Sequence, residues 1–421
     1  MIDINFIRNN PEVMKKASAD KLMPVDIDRL LALDFSLREI TSKEDALRAE
    51  RNRITKRISV CSNNNEKENL AEQVRSLKSE ISEYDDRLRE MQIEFDDLML
   101  HVPSVPAPEV PVGTGEEDNI ELRRIGQVRS FNFPFRDHLE LCEIHDMLDM
   151  PRGSKIAGSR SYFLKNDAVL LEMALCRFVV DFLAKRGFTP MTVPQIVKYN
   201  AMQGTGYFPI GYDQAYKLPE DDLFLVGTSE VSLVSYHQDE IIPMAELPLR
   251  YAGLSSCFRR EAGAAGKDTR GLYRVHQFQK VEQVILCEAN DEKAEALHYE
   301  ILGNTEAILQ ALELPYRVCL ACTGEIGIGQ IRKHEVETWM PSREAYCETH
   351  SCSTLGDFQA RRSGIRYRDE NGKLRYVFTL NNTGIASPRI LIPLLENHQN
   401  KDGSISIPNA LQSYMGNRKT I

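Results

Sequence analysis

The feature that most constrains this chain is a seam of apolar residues: Leu70, Val74, Leu77, Ile81, Tyr84, Leu88, Met91, Phe95 and Leu98, spaced four and three apart without a break. Mostly charged residues fill the intervals. A heptad sustained this far predicts a helix whose apolar stripe must be covered by another helix. A second register upstream can cover it: Leu30, Leu33, Leu37, Ile40, Glu44, Leu47, Arg51, Ile54 and Ile58, polar only at Glu44 and Arg51. Between the registers, CSNNNEKEN is polar and carries consecutive asparagines, which suits a turn. So short a connection makes the arms antiparallel neighbours. Each arm of about 30 residues, rising ~1.5 Å per residue, extends ~45–50 Å. The pattern predicts a long helical hairpin over about residues 27–98.

Near its tip the first arm reads RAERNRITKR, with Arg48, Arg51, Arg53, Lys56 and Arg57 against the single carboxylate of Glu50. Such a run is a solvated coiled-coil face or a surface for a phosphate backbone. Arg51 lies on the seam itself and weakens packing there, which fits either reading.

After the hairpin, Pro103, Pro106, Pro108 and Pro111 precede Gly113 and Gly115. This marks an extended linker over residues 101–120 between an N-terminal domain, 1–100, and a larger domain, 121–421. Beyond it, helical stretches such as LLEMALCRFVVDFLAKRG alternate with β-like runs such as LYRVHQFQKVEQVIL. The expected class is α+β, an antiparallel sheet flanked by helices. With 421 residues the chain is too long for one core. Its nine cysteines are an odd number, which argues for reduced thiols rather than a disulfide framework. The opening MIDINFIRNNPEV lacks an apolar signal core and no run is long enough for a bilayer. The expectation is a cytoplasmic protein, or the processed form of an organellar matrix protein, with no membrane partner. Net charge −10 argues against general affinity for DNA or RNA but leaves room for a local basic patch.

One segment runs against that acidity. FRREAGAAGKDTRGLYRVHQF gathers Arg259, Arg260, Lys267, Arg270 and Arg274 around small residues. LSSCF (254–258) and the run 272–286 read as antiparallel strands joined across this linker. Alternation along a strand then puts Arg274, His276, Phe278, Lys280 and Glu282 on one face, with Phe278 and Glu282 about 13 Å apart. A cation, an aromatic plate and a carboxylate in that order suit a ligand bearing phosphates, a purine and an ammonium group. An ordinary charged surface hairpin would look the same. The chain has no Walker loop and no GxGxxG opening a helix. Cys319 and Cys322 fall in YRVCLACTG, where a strand would turn them to opposite faces, so no zinc site is expected.

Three segments resemble the signature motifs of class II aminoacyl-tRNA synthetases. FLAKRGFTPMTVPQI, with Pro194, resembles the first, FRREAGAAGKDTRG with HQFQKVEQ the second, and NNTGIASPRILIPLLENHQ the third. GTSE (227–230), ETHSCSTLGDFQARR (348–362) and the N-terminal hairpin resemble those of seryl-tRNA synthetases in particular. The resemblance spans essentially the whole chain. It implies formation of seryl-adenylate from L-serine and ATP, then transfer to the 3′ end of tRNA(Ser), and of tRNA(Sec) where present. It implies catalytic roles for Arg259, Glu261 and Arg389. An ATP site would comprise Arg259, Glu261, Arg274, Val275, Phe278, Glu348, Ser351 and Arg389, with adenine between Phe278 and Arg389. The serine pocket would comprise Thr228, Glu230, Arg259, Glu282, Asn381 and Thr383. Mg²⁺ would sit on Glu348 and Ser351. The resemblance further implies a homodimer, with tRNA held by the arm through Arg48, Arg51, Arg53, Lys56 and Arg57.

The third motif departs from the common bacterial pattern. It reads Asn381-Asn382-Thr383-Gly384, with Pro388 directly before Arg389. A helix starting there would take Ser387 as its cap and Pro388 as its first residue. Pro393 then falls inside the helix, where it should kink the axis. His350 stands beside Glu348 and Ser351, as an added ligand or an incidental neighbour. Two rival functions fit the same motifs: a paralogue that delivers serine to another acceptor, and a non-catalytic tRNA-binding paralogue.

Overall fold

The structure, a computed structural model, describes residues 1–263 and 270–421. Lys267 of the cationic loop lies outside the described residues. The chain forms two compact units: Ile2–Ala19 with Met23–Pro103, and Met1 with Asp20–Leu22 and Ser104–Ile421.

The first unit is built on two long helices, α1 (Ile27–Val60) and α2 (Asn64–His101). Asp26 caps the first by accepting from the Arg29 amide, and Asn63 caps the second through the Asn65 and Glu66 amides. Only Cys61–Asn63 lie between them, so the turn is shorter than the polar stretch suggested. Its remaining residues, NNEKEN, are good enough helix formers to extend the second arm once Asn63 has capped it. Every residue of both seams is buried or half-buried, while most of their neighbours are exposed. Glu44, a polar intruder on the seam, is tied to Arg48, and Arg48 reaches across to Asp85 Oδ1 at 2.9 Å.

The second unit is organised by an eight-stranded sheet. Its strands are β1 (Ile120–Ile125), β2 (Thr189–Thr192), β3 (Leu249–Phe258), β4 (Gln277–Cys287), β5 (Tyr316–Leu320), β6 (Arg332–Met340), β7 (Ala345–Gly356) and β8 (Phe378–Ser387). The spatial order is β1-β5-β6-β7-β8-β4-β3-β2, antiparallel throughout except for β2 against β3. This is the antiparallel α+β architecture expected from the sequence. Two helices cover the back of the sheet: α3 (Asp167–Ala184) and α4 (Asp291–Ala311). Their apolar residues pack with Val281, Ile285, Val336, Cys352, Leu380 and Ile385 into the main core. Several polar side chains on that side bond one another. Asn382 Nδ2 donates to Thr305 Oγ1 at 2.8 Å, and Asn304 Nδ2 to Gln283 Oε1 at 2.7 Å. Among the described residues, no helix is long and apolar enough to cross a membrane.

Several local expectations are corrected. The strand after the cationic loop starts at Gln277, so Arg274 and His276 sit in the irregular stretch before it. There the His276 amide is taken by the Arg160 carbonyl rather than by a ladder. Ser387 is the last residue of β8 and donates to Glu172 Oε1 at 2.8 Å instead of capping a helix. Pro388, Arg389 and Ile390 form a turn, and α5 (Leu391–His398) begins after it. Pro393 is therefore its third residue, in the first turn, where a missing N–H costs little and no kink is required. Cys322 lies beyond the end of β5 and donates to the Gly115 carbonyl, so alternation does not decide its direction.

Candidate active site

The front face of the sheet, opposite α3 and α4, gathers the candidate residues. Along β4 the side chains of Phe278, Lys280 and Glu282 alternate onto this face. They lie opposite Cys257, Ser255 and Gly253 of β3. On the other side, Glu282 pairs with Thr383 of β8, while Val281 pairs with Ile385. Gly384 is thus an extra residue in β8, a β-bulge that sets the phase of Thr383 and Asn381 on the front face.

A second bulge matters as much. Glu348 and Ser351 are three residues apart on β7, which in a regular strand sends them to opposite faces. Here Glu348 pairs with Glu337 and His350 with Val336, so Thr349 is an extra residue. Glu348, Ser351, Glu335 and Glu337 consequently share one face. His350, paired with Val336, belongs to the other face, where its Nδ1 meets Thr349 Oγ1 at 2.9 Å. Its burial holds the imidazole down to about 3, in the neutral form.

Three carboxylates on the front face differ in their electrostatics. Glu230, at the start of a short helix (Glu230–Ser235), accepts from Gln359 Nε2 and Asn381 Nδ2, both at 2.7 Å. Burial, and secondarily the charge of Glu282, push its carboxyl up to about 7. Glu282 is ion-paired with Lys280, and the Thr228 hydroxyl lies 3.4 Å from each of them. Glu348 is half-buried; its partial desolvation opposes ionisation, but the charges of Arg389, Lys333 and Arg259 outweigh that and hold it below the usual carboxylate range. As a donor set, the ionised carboxylate of Glu348 and the hydroxyl of Ser351 are hard oxygens on one face, which fit Mg²⁺ with its remaining positions left to phosphates and water. Among the described residues, no three His, Cys, Asp or Glu are gathered as a metal-binding group.

The cations frame this floor. Arg259, just past β3, donates from Nε to the Gly227 carbonyl at 3.3 Å, and its guanidinium lies 5.2 Å from the centre of the Phe278 ring. Arg389 donates to the Glu348 carbonyl at 3.1 Å and lies 4.3 Å over the Tyr273 ring rather than over Phe278. Arg274 reaches Glu261 at 3.4 Å, and Val275 is buried. Lys280, Tyr273 and Gln359 were not among the site residues read from the sequence. Lys280 was legible as a face-mate of Phe278 and Glu282, but nothing in its neighbourhood in sequence marks Tyr273 or Gln359.

On the arm, Arg48 is engaged by Glu44 and Asp85, Arg53 by Glu50, and Arg57 lies 3.5 Å from Glu66. Arg51 is half-buried and bonds Asn52, while Lys56 is exposed. The basic run is thus partly neutralised within the hairpin.

Residues 215–398 match the family described as tRNA synthetase class II core domain (G, H, P, S and T), and residues 1–106 match the seryl-tRNA synthetase N-terminal domain. The chain is 47% identical over 421 residues to a serine–tRNA ligase of Deinococcus radiodurans, covering 100% of this chain and 99% of that one. It is 43% identical to a serine–tRNA ligase of Symbiobacterium thermophilum, covering 98% of each. Among solved structures it resembles seryl-tRNA synthetase from Pyrococcus horikoshii complexed with ATP, with TM-score 0.92 and 37% identity over 100% of this chain and 99% of that one. It also resembles cytoplasmic serine–tRNA ligase from Naegleria fowleri in complex with AMP, with TM-score 0.87 and 30% identity over 100% and 98%.

Proposed function

The chain belongs to the seryl-tRNA synthetase family, and on that premise we propose that it activates L-serine with ATP and transfers the seryl group to the 3′ end of tRNA(Ser). The observation that carries this reading is the single front face on which Phe278, Lys280, Glu282, Asn381, Thr383, Glu348 and Ser351 stand together, with Arg259 beside Phe278.

In the first step a serine carboxylate oxygen bonds to the α-phosphorus of ATP as the bond to pyrophosphate breaks. The carboxylate is already ionised near neutral pH, so no general base is needed. Arg259 holds the carboxylate and the α-phosphate and stabilises the charge that builds there. The Phe278 ring supports the adenine, with Arg389 closing its other face, and Arg274 and Glu261 bound the nucleotide. Glu348 and Ser351 would hold Mg²⁺, which when bound neutralises phosphate charge. Glu230 and Glu282 receive the substrate's amine and hydroxyl, with Thr228, Asn381 and Thr383 completing the pocket. Alanine, lacking the hydroxyl, would leave a buried polar group unpaired, which disfavours it. In the second step the terminal ribose hydroxyl of tRNA attacks the seryl carbonyl and AMP leaves.

In this reading residues 1–100 grip tRNA through the arm and its cations, residues 121–421 catalyse, and two copies form a homodimer in the cytoplasm or an organellar matrix. ATP–pyrophosphate exchange with each of the twenty amino acids, followed by charging of total tRNA, tests it. Serine-dependent exchange with serylated tRNA is expected. Exchange with another amino acid, or none, would refute it.

A further inference from the structure

We infer that Lys280 is a positioning and specificity-determining residue of the amino-acid pocket: it holds Glu282 and cancels one carboxylate, leaving a single negative charge for the substrate ammonium. The inference rests on the serine-activating reading and assigns this residue a role within it.

The geometry is specific. Lys280 lies between Phe278 and Glu282 on the front face and is 7% exposed. A lysine so buried needs its charge compensated, and here an ion pair supplies that. Its ammonium pairs with Glu282 and lies 3.4 Å from the Thr228 hydroxyl, which itself lies 3.4 Å from Glu282. The pocket's other carboxylate, Glu230, is held by the neutral amides of Gln359 and Asn381. Two carboxylates against one lysine leave one negative charge, the complement of one substrate ammonium. Other titratable or charged groups around Lys280 are Cys257 of β3, and Glu348 and His350 of β7. Arg259, past the end of β3, acts on the same Cys257 and Glu348.

Without Lys280 the carboxylates of Glu230 and Glu282 would face one another uncompensated, and one would take up a proton. The substrate ammonium would then bind only by expelling that proton. Serine binding would be coupled to proton release, and affinity would need a higher pH. Glu230 already shows the tendency, since Glu282 raises its carboxyl and Lys280 opposes the rise.

The test is serine- and ATP-dependent pyrophosphate exchange by the full chain from pH 6 to 9, for wild type, Lys280→Met, Lys280→Gln and Lys280→Arg. In wild type, kcat/KM for serine should rise with pH through a midpoint near 7. In the Met and Gln variants that midpoint should move upward by about one pH unit or more, and serine KM at pH 7 should rise about tenfold or more. The KM for ATP should stay within about twofold, and Lys280→Arg should recover part of the shift. Glutamine preserves polarity and size, so a folding failure of the methionine variant leaves the comparison intact. An unmoved midpoint, or equal losses toward ATP and serine, would overturn the inference. Absence of serine-dependent exchange in wild type would instead overturn the functional reading.

Discussion

Replacing Glu230 with glutamine should make this protein more stable and less active at once. Its carboxyl is pushed from 4.5 to about 7, chiefly by burial and next by Glu282. In the unfolded chain it titrates at its ordinary value. Between those limits the folded protein keeps a proton that the unfolded chain has released. The stability from that proton is complete below the unfolded pKa and is lost as pH rises through about 7. A displacement of about 2.5 pH units, at ~1.4 kcal/mol each, amounts to roughly 3 kcal/mol lost by pH 8. Glutamine has nothing to ionise and avoids that loss. Its carbonyl oxygen can still accept from Gln359 and Asn381, which approach the same Glu230 oxygen at 2.7 Å. The variant should therefore exceed wild type by about 3 kcal/mol at pH 8 and match it near pH 4.5.

Activity should move the other way. A hydrogen bond to a charged group contributes about 1.5–3 kcal/mol, so losing the carboxylate should lower kcat/KM for serine at pH 8 by roughly 10- to 150-fold. The rise of that parameter through pH 7 should also disappear. Denaturant titration at pH 5 and pH 8, with pyrophosphate exchange on the same preparations, reads both effects. A glutamine variant less stable than wild type at pH 8, or one that keeps the pH 7 limb, would refute the reasoning.

Arg259→Ala should lower serine-dependent pyrophosphate exchange by about 10²–10³-fold, the scale for removing a donor aimed at developing charge. Normal exchange would remove Arg259 from the chemistry. Excising about residues 35–90 with a short connection between the arms should leave exchange intact and abolish tRNA charging. Unchanged charging would refute the arm's role.

The hairpin was legible because a heptad repeats one requirement many times. Each residue of both seams is buried or half-buried here, and one polar intruder, Glu44, could be absorbed by Arg48. Strand alternation likewise placed Phe278, Lys280 and Glu282 on one face. What stayed hidden depends on single residues that break a period. Nothing in ETHSCS shows that Thr349 is bulged, yet without that bulge Glu348 and Ser351 could not share a face. Gly384 does the same for Thr383. The end of β8 was misread because Ser387-Pro388 is also a good helix start. The side chain of Glu172 decides the matter by taking the Ser387 hydroxyl, and it comes from a helix more than two hundred residues away.

The local arrangement also shows how an acidic chain can hold an anionic substrate. Net charge is a sum over the surface, whereas the front face sets each cation against a chosen partner. Lys280 faces Glu282, Lys333 faces Glu335, and Arg389 lies 3.4 Å from Glu348. Arg259 differs: its hydrogen bond is to a carbonyl and its ring contact is with Phe278, both neutral. It is half-buried among charges already matched with one another, yet among the described residues it makes no ion pair. A carboxylate or phosphate arriving beside Phe278 would complete that pairing without breaking one, and the chain need not reorganise to receive it. That difference between Arg259 and its fellow cations gives a structural reason, independent of family resemblance, for placing the reacting phosphate there.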